Sequence, residues 1–186
     1  MPIYDAAMFD TLFDLPAHPL LIHAPIVLLP VAALLTIVLA VKQNWRRRAG
    51  WFPLGGVFVV AVLLFAAKES GESFNAAFDS AFGEGSIDID QHESLGNTTF
   101  VLTLVWLVTM LAQSVWDFVQ RRASAAVDGD ADRANDVAAA NPFVTYGLSA
   151  LASIFALLAT VWLIRTGHAG ADVVWSPVVP QLFPEG

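Results

Sequence analysis

Four long apolar runs divide the chain, and polar stretches separate them. The runs cover residues 19–41, 51–67, 98–119 and 142–165, and few charged side chains interrupt them. An α-helix rises about 1.5 Å per residue, so a run of about 20 residues crosses a hydrocarbon layer of about 30 Å. The pattern predicts an all-α fold in which residues 1–186 form one integral membrane domain, a four-helix bundle.

The polar stretches predict an outer loop over residues 68–97 and a cytoplasmic linker over residues 120–141. Within the loop, Phe74, Phe78 and Phe82 repeat every four residues, which indicates that a helix continues beyond the second run. The fourth run is expected to end near residue 165. The proline-containing tail beyond it is expected to form an extended or turn-rich strap.

Prolines mark the start of the first run. Pro25 and Pro30 each lack the N–H that would bind the carbonyl four residues earlier, so both are expected to bend the helix. His18 precedes Pro19, and a residue before proline avoids the helical region. The backbone of His18 is therefore predicted to be extended.

Composition places the chain in the membrane and excludes several kinds of site. Hydrophobic residues make up 56% and charged residues 14% of the 186 residues, and the mean hydropathy is +0.62. There is no cysteine, which removes disulfides, thiolate metal sites and covalent c-type haem attachment. The formal charge of −8 argues against nucleic acid, which needs a basic surface.

The distribution of Lys and Arg predicts the orientation. Seven basic residues lie in the connection between the first and second runs and in the connection between the third and fourth runs. Both connections lie on the same side of the membrane, and the other side has only Lys68 and Arg165. The positive-inside rule therefore places both termini outside, in the periplasm, and predicts a multi-pass protein of a bacterial inner membrane. The seven are Lys42, Arg46, Arg47, Arg48, Arg121, Arg122 and Arg133.

All four histidines of the chain fall on that outer side, each at or near the end of a predicted helix. They are His18, His23, His92 and His168, and the carboxylates of Glu72 and Glu93 are predicted nearby. A helical bundle can present such ligands to one shallow pocket. His23 is the strongest candidate, because an ionisable residue inside an apolar helix is a functional candidate by default.

Two chemistries fit this group of histidines, and a structural role is the third interpretation. Haem b held by two axial histidines needs no cysteine, and His23 would be one ligand and His92 or His168 the other. A zinc or copper ion would instead take three or four of the histidines, with Glu72 or Glu93 as a ligand or a hydrogen-bonding partner. His18 and His23 lie about 140° apart on a regular helix, so they would not share one metal. In the third interpretation, the histidines only tie helix ends together.

The cytoplasmic half contains no histidine, so a second bis-histidine haem is not expected there. Electron transfer would then involve quinol in the bilayer or a basic periplasmic redox protein, which the acidic outer surface would attract. Other expected partners are the lipid bilayer and a second copy of the chain. No catalytic dyad is visible, and the sequence assigns no enzyme class.

The order of four short motifs resembles a known family. They are His18-Pro19 with His23 and Pro25, then Ser70-Gly71-Glu72, then His92-Glu93 with Gly96, and finally Gly167-His168 with Gly170. This arrangement resembles the bacterial four-helix membrane proteins of the domain-of-unknown-function family DUF 2231. The resemblance implies the four-helix membrane fold and a haem-linked or redox role. A second Gly and a Tyr usually complete the last motif, and this chain has Ala171 and Trp175 there.

Overall fold

The computed structural model describes residues 11–85, 87–127 and 141–182. The described chain opens with a short antiparallel hairpin of two strands, Thr11–Leu12 (β1) and Leu15–Pro16 (β2). Phe13 and Asp14 form its turn with left-handed backbone angles, φ 55° and 61°.

Helices make up almost all of the remaining described chain. In order they are Ala17–Leu21 (α1), His23–Val41 (α2), Gln43–Ala49 (α3), Phe52–Phe82 (α4), Asp90–Val127 (α5), Pro142–Trp175 (α6) and Val179–Leu182 (α7). Within the described residues, four helical segments are long and apolar enough to cross a membrane, namely Ala17–Val41, Phe52–Phe82, Asp90–Ala123 and Pro142–Trp175. The predicted all-α fold with four helices able to cross a membrane is confirmed.

The first span is interrupted where its prolines predict a bend. α1 ends at Leu21, and α2 begins at His23. Pro25 lies four residues after Leu21 and has no N–H that could bind the Leu21 carbonyl. Pro30 lies inside α2 and does not end it. The prediction of an extended His18 is wrong. His18 lies in α1, and its carbonyl accepts a helical hydrogen bond from the Ile22 N–H at 3.1 Å.

The connections are shorter than predicted. Most of the expected outer loop 68–97 is helical, because α4 continues to Phe82 and α5 already begins at Asp90. The Phe74, Phe78 and Phe82 rings stack along the extension of α4, with centroids 6.3 and 4.5 Å apart. At the other connection, residues 120–127 continue α5, and the rest of the predicted linker, apart from Asn141, lies outside the described residues.

The fourth span is longer than predicted. α6 passes through Gly167 and Gly170 and ends at Trp175, so no helix stop follows residue 165. Both glycines keep a negative φ, and a helical glycine needs no left-handed angle. The expectation that the helix ends near residue 165 is therefore wrong. The strap expected for the proline-containing tail is wrong in part, because that tail includes a short helix, α7.

The core is a narrow seam between the spans. Trp106 on α5 is completely buried, and small residues of α6, Ala152, Ala156 and Ala159, pack around it with 0% exposure each. The inward positions of α5 repeat at alternating steps of four and three residues, the spacing of coiled-coil packing. They are His92, Gly96, Thr99, Thr103, Trp106, Met110, Gln113 and Asp117. One face of α5 thus joins a histidine at one end of the bundle to a carboxylate at the other.

Candidate functional site at the histidine end

We call the end of the bundle that carries His18 and His92 the histidine end. His18 is half-buried on α1, and its Nδ1 lies 2.9 Å from the Ala67 carbonyl oxygen and 3.3 Å from Ser70 Oγ on α4. The ring packs directly on Gly71, where an added Cβ would lie 3.1 Å from His18 Cε1 and Nδ1. A residue without a side chain lets the imidazole approach the α4 backbone this closely.

His92 makes the equivalent contacts on the other side of the bundle. The ring stands on the first turn of α5, and Nδ1 lies 2.9 Å from the Thr166 carbonyl oxygen of α6. Gly170 provides the close approach, since an added Cβ would come within 2.8 Å of His92 Cε1. The Thr166 hydroxyl is itself 3.0 Å from the Thr99 hydroxyl, which fixes the two helices next to the ring.

These contacts define the protonation of both rings. A carbonyl oxygen only accepts hydrogen bonds, so the Nδ1 of each histidine must carry the proton and donate it. In the neutral ring the Nε2 then keeps a free lone pair, the form of imidazole that binds metals. Both histidines are therefore oriented by a backbone carbonyl and have Nε2 available as a ligand atom.

The two rings are neighbours in a T-shaped arrangement at the histidine end. Their centroids are 6.2 Å apart, and their planes meet at 86°. Each of the four spans contributes, since α1 and α5 carry the rings while α4 and α6 supply the carbonyls and glycines. The arrangement can present two imidazoles to one bound group, or it can hold the helix ends together directly.

The structure does not bring the other two histidines to this pair. His23 is exposed on α2, and its Nδ1 contacts the Pro19 carbonyl oxygen of its own segment at 2.5 Å. His168 is exposed on α6. His23 has the deeper place in the apolar run, but it faces outward, whereas His18 faces α4.

The predicted carboxylates also lie on the surface. Glu72 forms an ion pair with Lys68 one turn earlier on α4, and Glu93 is exposed on α5. Among the described residues, no group of three His, Cys, Asp or Glu side chains comes together as metal ligands would. The zinc or copper site with three or four such ligands is therefore not assembled in this part of the chain.

A buried ion pair at the opposite end was missed by sequence reasoning. Arg46 of α3 is 6% exposed, and its Nε and Nη2 each lie 3.1 Å from a carboxylate oxygen of Asp117. Its Nη1 donates to Ser149 Oγ at 2.6 Å, and the Gln113 amide donates to the same oxygen at 2.7 Å. Burial lowers the pKa of Arg46, and the Asp117 carboxylate opposes that shift. The spacing of inward positions along α5 could have revealed this pair, because it places Asp117 on the same buried face as Trp106.

Comparison with known proteins gives one match. A family model described as a predicted membrane protein, DUF2231, matches residues 14–181. No curated protein and no solved structure matches the chain significantly. The matched range includes the four spans, the His18–His92 pair and the Arg46–Asp117 pair. By this match the chain belongs to the DUF2231 family of membrane proteins.

Proposed function

We propose that the histidine end binds one haem b, with His18 and His92 as its two axial ligands, and that the protein transfers electrons. The observation that carries this proposal is that both rings have the same hydrogen-bonding arrangement and lie next to each other. Each imidazole donates its Nδ1 proton to a backbone carbonyl, which leaves Nε2 as the ligand atom, and the ring centroids lie 6.2 Å apart.

Hydrogen bonds of this kind are typical of metal-binding histidines. A ligating imidazole almost always donates its other N–H to a carbonyl, a carboxylate or water, which fixes the tautomer and makes the ligand more basic. His18 uses the Ala67 carbonyl and His92 uses the Thr166 carbonyl, both at 2.9 Å. A surface histidine with no ligand to hold gains less from such precise orientation.

The separation of the rings fits two ligands of one metal. An imidazole nitrogen binds a transition metal at about 2.0–2.1 Å and lies about 1 Å from the ring centre, so two opposed ligands have centroids roughly 6 Å apart. The observed centroid separation is 6.2 Å. The angle of 86° corresponds to two ligand planes turned by a quarter turn. Two imidazoles without further ligands suit haem better than zinc, which takes four ligands.

Bound haem b supplies one-electron chemistry, and the chain determines its surroundings. The two hydrogen-bonded imidazoles would bind the haem iron and orient the haem. Gly71 and Gly170 determine how closely each ring packs against its neighbouring helix. The site lies at one end of the bundle, and the positive-inside rule would place it on the periplasmic side. Quinol in the bilayer or a basic periplasmic redox protein is the expected electron partner.

Expression of the full chain in haem-replete cells tests this proposal. We expect the purified protein to show a Soret band, a shift of the visible bands on reduction with dithionite, and one haem per chain. Metal analysis runs in parallel. Protein without a Soret band would contradict the proposal, and stoichiometric zinc or copper that is lost in His92→Ala would instead support a metal-ion function.

A structural clasp is the second candidate function, favoured by the same two hydrogen bonds. His18–Ala67 ties α1 to α4, and His92–Thr166 ties α5 to α6. In that case the wild-type protein is colourless after haem-replete expression, and His18→Ala or His92→Ala lowers the unfolding temperature without any spectral change.

A further inference from the structure

We propose that a groove at the opposite end of the bundle binds the phosphate headgroup of an anionic membrane lipid. We call this end, which carries Lys42, α3 and the first turns of α6, the basic end. The groove has a volume of about 340 Å³ and is open to the surroundings. It is lined by Val41, Lys42, Gln43, Asn44, Trp45 and Tyr146.

The lining offers hydrogen-bond donors and one positive charge. Lys42 contributes an ammonium, Gln43 and Asn44 contribute amides, and Trp45 and Tyr146 contribute an N–H and an O–H. Among the residues that the structure describes, no Asp or Glu lines the groove. A set of convergent donors with a cation and no carboxylate is complementary to a phosphate.

One donor in the groove wall lacks an acceptor. The Nε2 of Gln43 is buried and has no hydrogen-bond partner in the described part of the chain. Buried polar groups are normally paired, and an unpaired one calls for an explanation such as a missing ligand. Turned towards the groove, the Gln43 amide would donate to a phosphate oxygen and gain the acceptor that it lacks.

The surface around the groove is positively charged, like Lys42 in the groove. The described residues of this end include six basic side chains, Lys42, Arg46, Arg47, Arg48, Arg121 and Arg122, against one carboxylate, Asp117. Arg46 forms an ion pair with that carboxylate, which also attracts Arg47 and Arg121. The described residues of this end therefore carry five more positive than negative charges. Basic surfaces beside membrane spans attract anionic lipids, and pockets between such helices bind their headgroups.

The depth of the groove identifies the source of the phosphate as a lipid. Lys42 directly follows the span Ala17–Val41, and Tyr146 lies in the first turns of the span Pro142–Trp175. The groove therefore lies where the span ends, at the level of the headgroups. Trp45 and Tyr146 are 57% and 61% exposed, and aromatic residues of this kind sit at the membrane interface. Val41, 74% exposed, is placed to contact an acyl chain.

Lipid retention by the full chain tests the proposal. The protein is reconstituted in nanodiscs of phosphatidylcholine with added phosphatidylglycerol, and bound phosphatidylglycerol is measured by native mass spectrometry over a titration. We expect Lys42→Gln to weaken phosphatidylglycerol binding by about tenfold, because a charge and a donor are lost together. The matched control is Arg48→Gln, which removes an equal charge from the same end but outside the groove, and should weaken binding by about twofold.

Tyr146→Phe provides a second variant that keeps the aromatic ring and removes only the hydroxyl. We expect weaker phosphatidylglycerol binding with an unchanged unfolding temperature, so the result does not depend on the folding of Lys42→Gln. Equal weakening in Lys42→Gln and Arg48→Gln would show diffuse surface charge and overturn the proposal. Displacement of phosphatidylglycerol by millimolar inorganic phosphate would also overturn it, since a soluble anion would then be the ligand.

Discussion

At the scale of single residues, two glycines determine how the histidine rings sit. Gly71 touches His18 and Gly170 touches His92, and each contact is closer than a methyl group would allow without movement. Each ring also contacts a backbone carbonyl about one turn before the glycine on the same helix, Ala67 for His18 and Thr166 for His92. The position of each ring therefore depends on a missing side chain as much as on a hydrogen bond.

Gly170→Ala should displace the His92 ring. The new Cβ would lie 2.8 Å from His92 Cε1, so the ring or the helix must shift and the bond to the Thr166 carbonyl is strained. We expect a destabilisation of about 1–3 kcal/mol, the usual cost of overpacking. Thermal unfolding in detergent measures it.

Gly167→Ala is the matched control, because an added Cβ meets nothing within 4 Å there. Alanine favours a helix over glycine by up to about 1 kcal/mol, so this variant should be neutral or more stable. Similar unfolding temperatures for the two variants would show that the close contact between Gly170 and His92 does not contribute to stability.

Sequence reasoning placed all four histidines at one end but did not identify the pair. The run of apolar residues made His23 the deepest histidine, yet depth along a helix does not determine which face of the helix it occupies. His18 was given an extended backbone, and the short helix α1 turns its ring towards Ala67 instead. A local rule for residues before proline was overridden by the packing of α1 on α4.

At the scale of helices, the buried pair of Arg46 and Asp117 ties the short helix α3 to α5, and Ser149 adds α6. Both side chains are nearly inaccessible, with 7% and 12% exposure. Loss of one partner would leave a buried charge without compensation, which is far more costly than loss of an exposed pair.

Asp117→Asn should therefore destabilise the protein by about 3–5 kcal/mol, the cost of breaking a buried ion pair. Glu72→Gln breaks the exposed pair with Lys68 on α4 and should cost less than about 1 kcal/mol. Denaturant unfolding of both variants gives the comparison. Equal, small effects would mean that the Arg46 charge is solvated and that the network does not hold α3.

The existence of the helices could be predicted from the apolar runs, but their ends could be predicted only in part. The spacing of Phe74, Phe78 and Phe82 correctly predicted that the second helix continues, and α4 ends at Phe82. The fourth helix was expected to end where hydrophobicity falls near residue 165, whereas α6 continues to Trp175. Hydrophobicity reports where a bilayer ends and does not report where a helix ends. The i,i+4 pair Lys68–Glu72 and the Phe74, Phe78 and Phe82 stripe continue the helix beyond the apolar run.

At the scale of the whole molecule, the bundle has two different ends joined by one face of α5. The histidine end holds the neighbouring rings of His18 and His92, and the basic end holds a buried ion pair beside exposed cations. The number of spans and their family followed from the sequence. The side of the membrane on which each end lies follows from the positive-inside rule and is a prediction.

The absence of cysteine makes this orientation simple to test. Ser80→Cys, exposed on the extension of α4, should react with a membrane-impermeant maleimide in intact spheroplasts. Arg48→Cys at the basic end should react only after the membrane is permeabilised. The reverse labelling pattern would place the histidine end in the cytoplasm and exclude a periplasmic redox partner.

The central claim is that His18 and His92 are the axial ligands of one haem b, and the absorbance spectra of four single variants test it most directly. His18→Ala and His92→Ala should each lose most of the Soret band, because each removes an axial ligand. His23→Ala and His168→Ala, which change exposed histidines, should keep the wild-type spectrum and one haem per chain. A Soret band that survives in His18→Ala and His92→Ala but disappears in His23→Ala or His168→Ala would contradict the account.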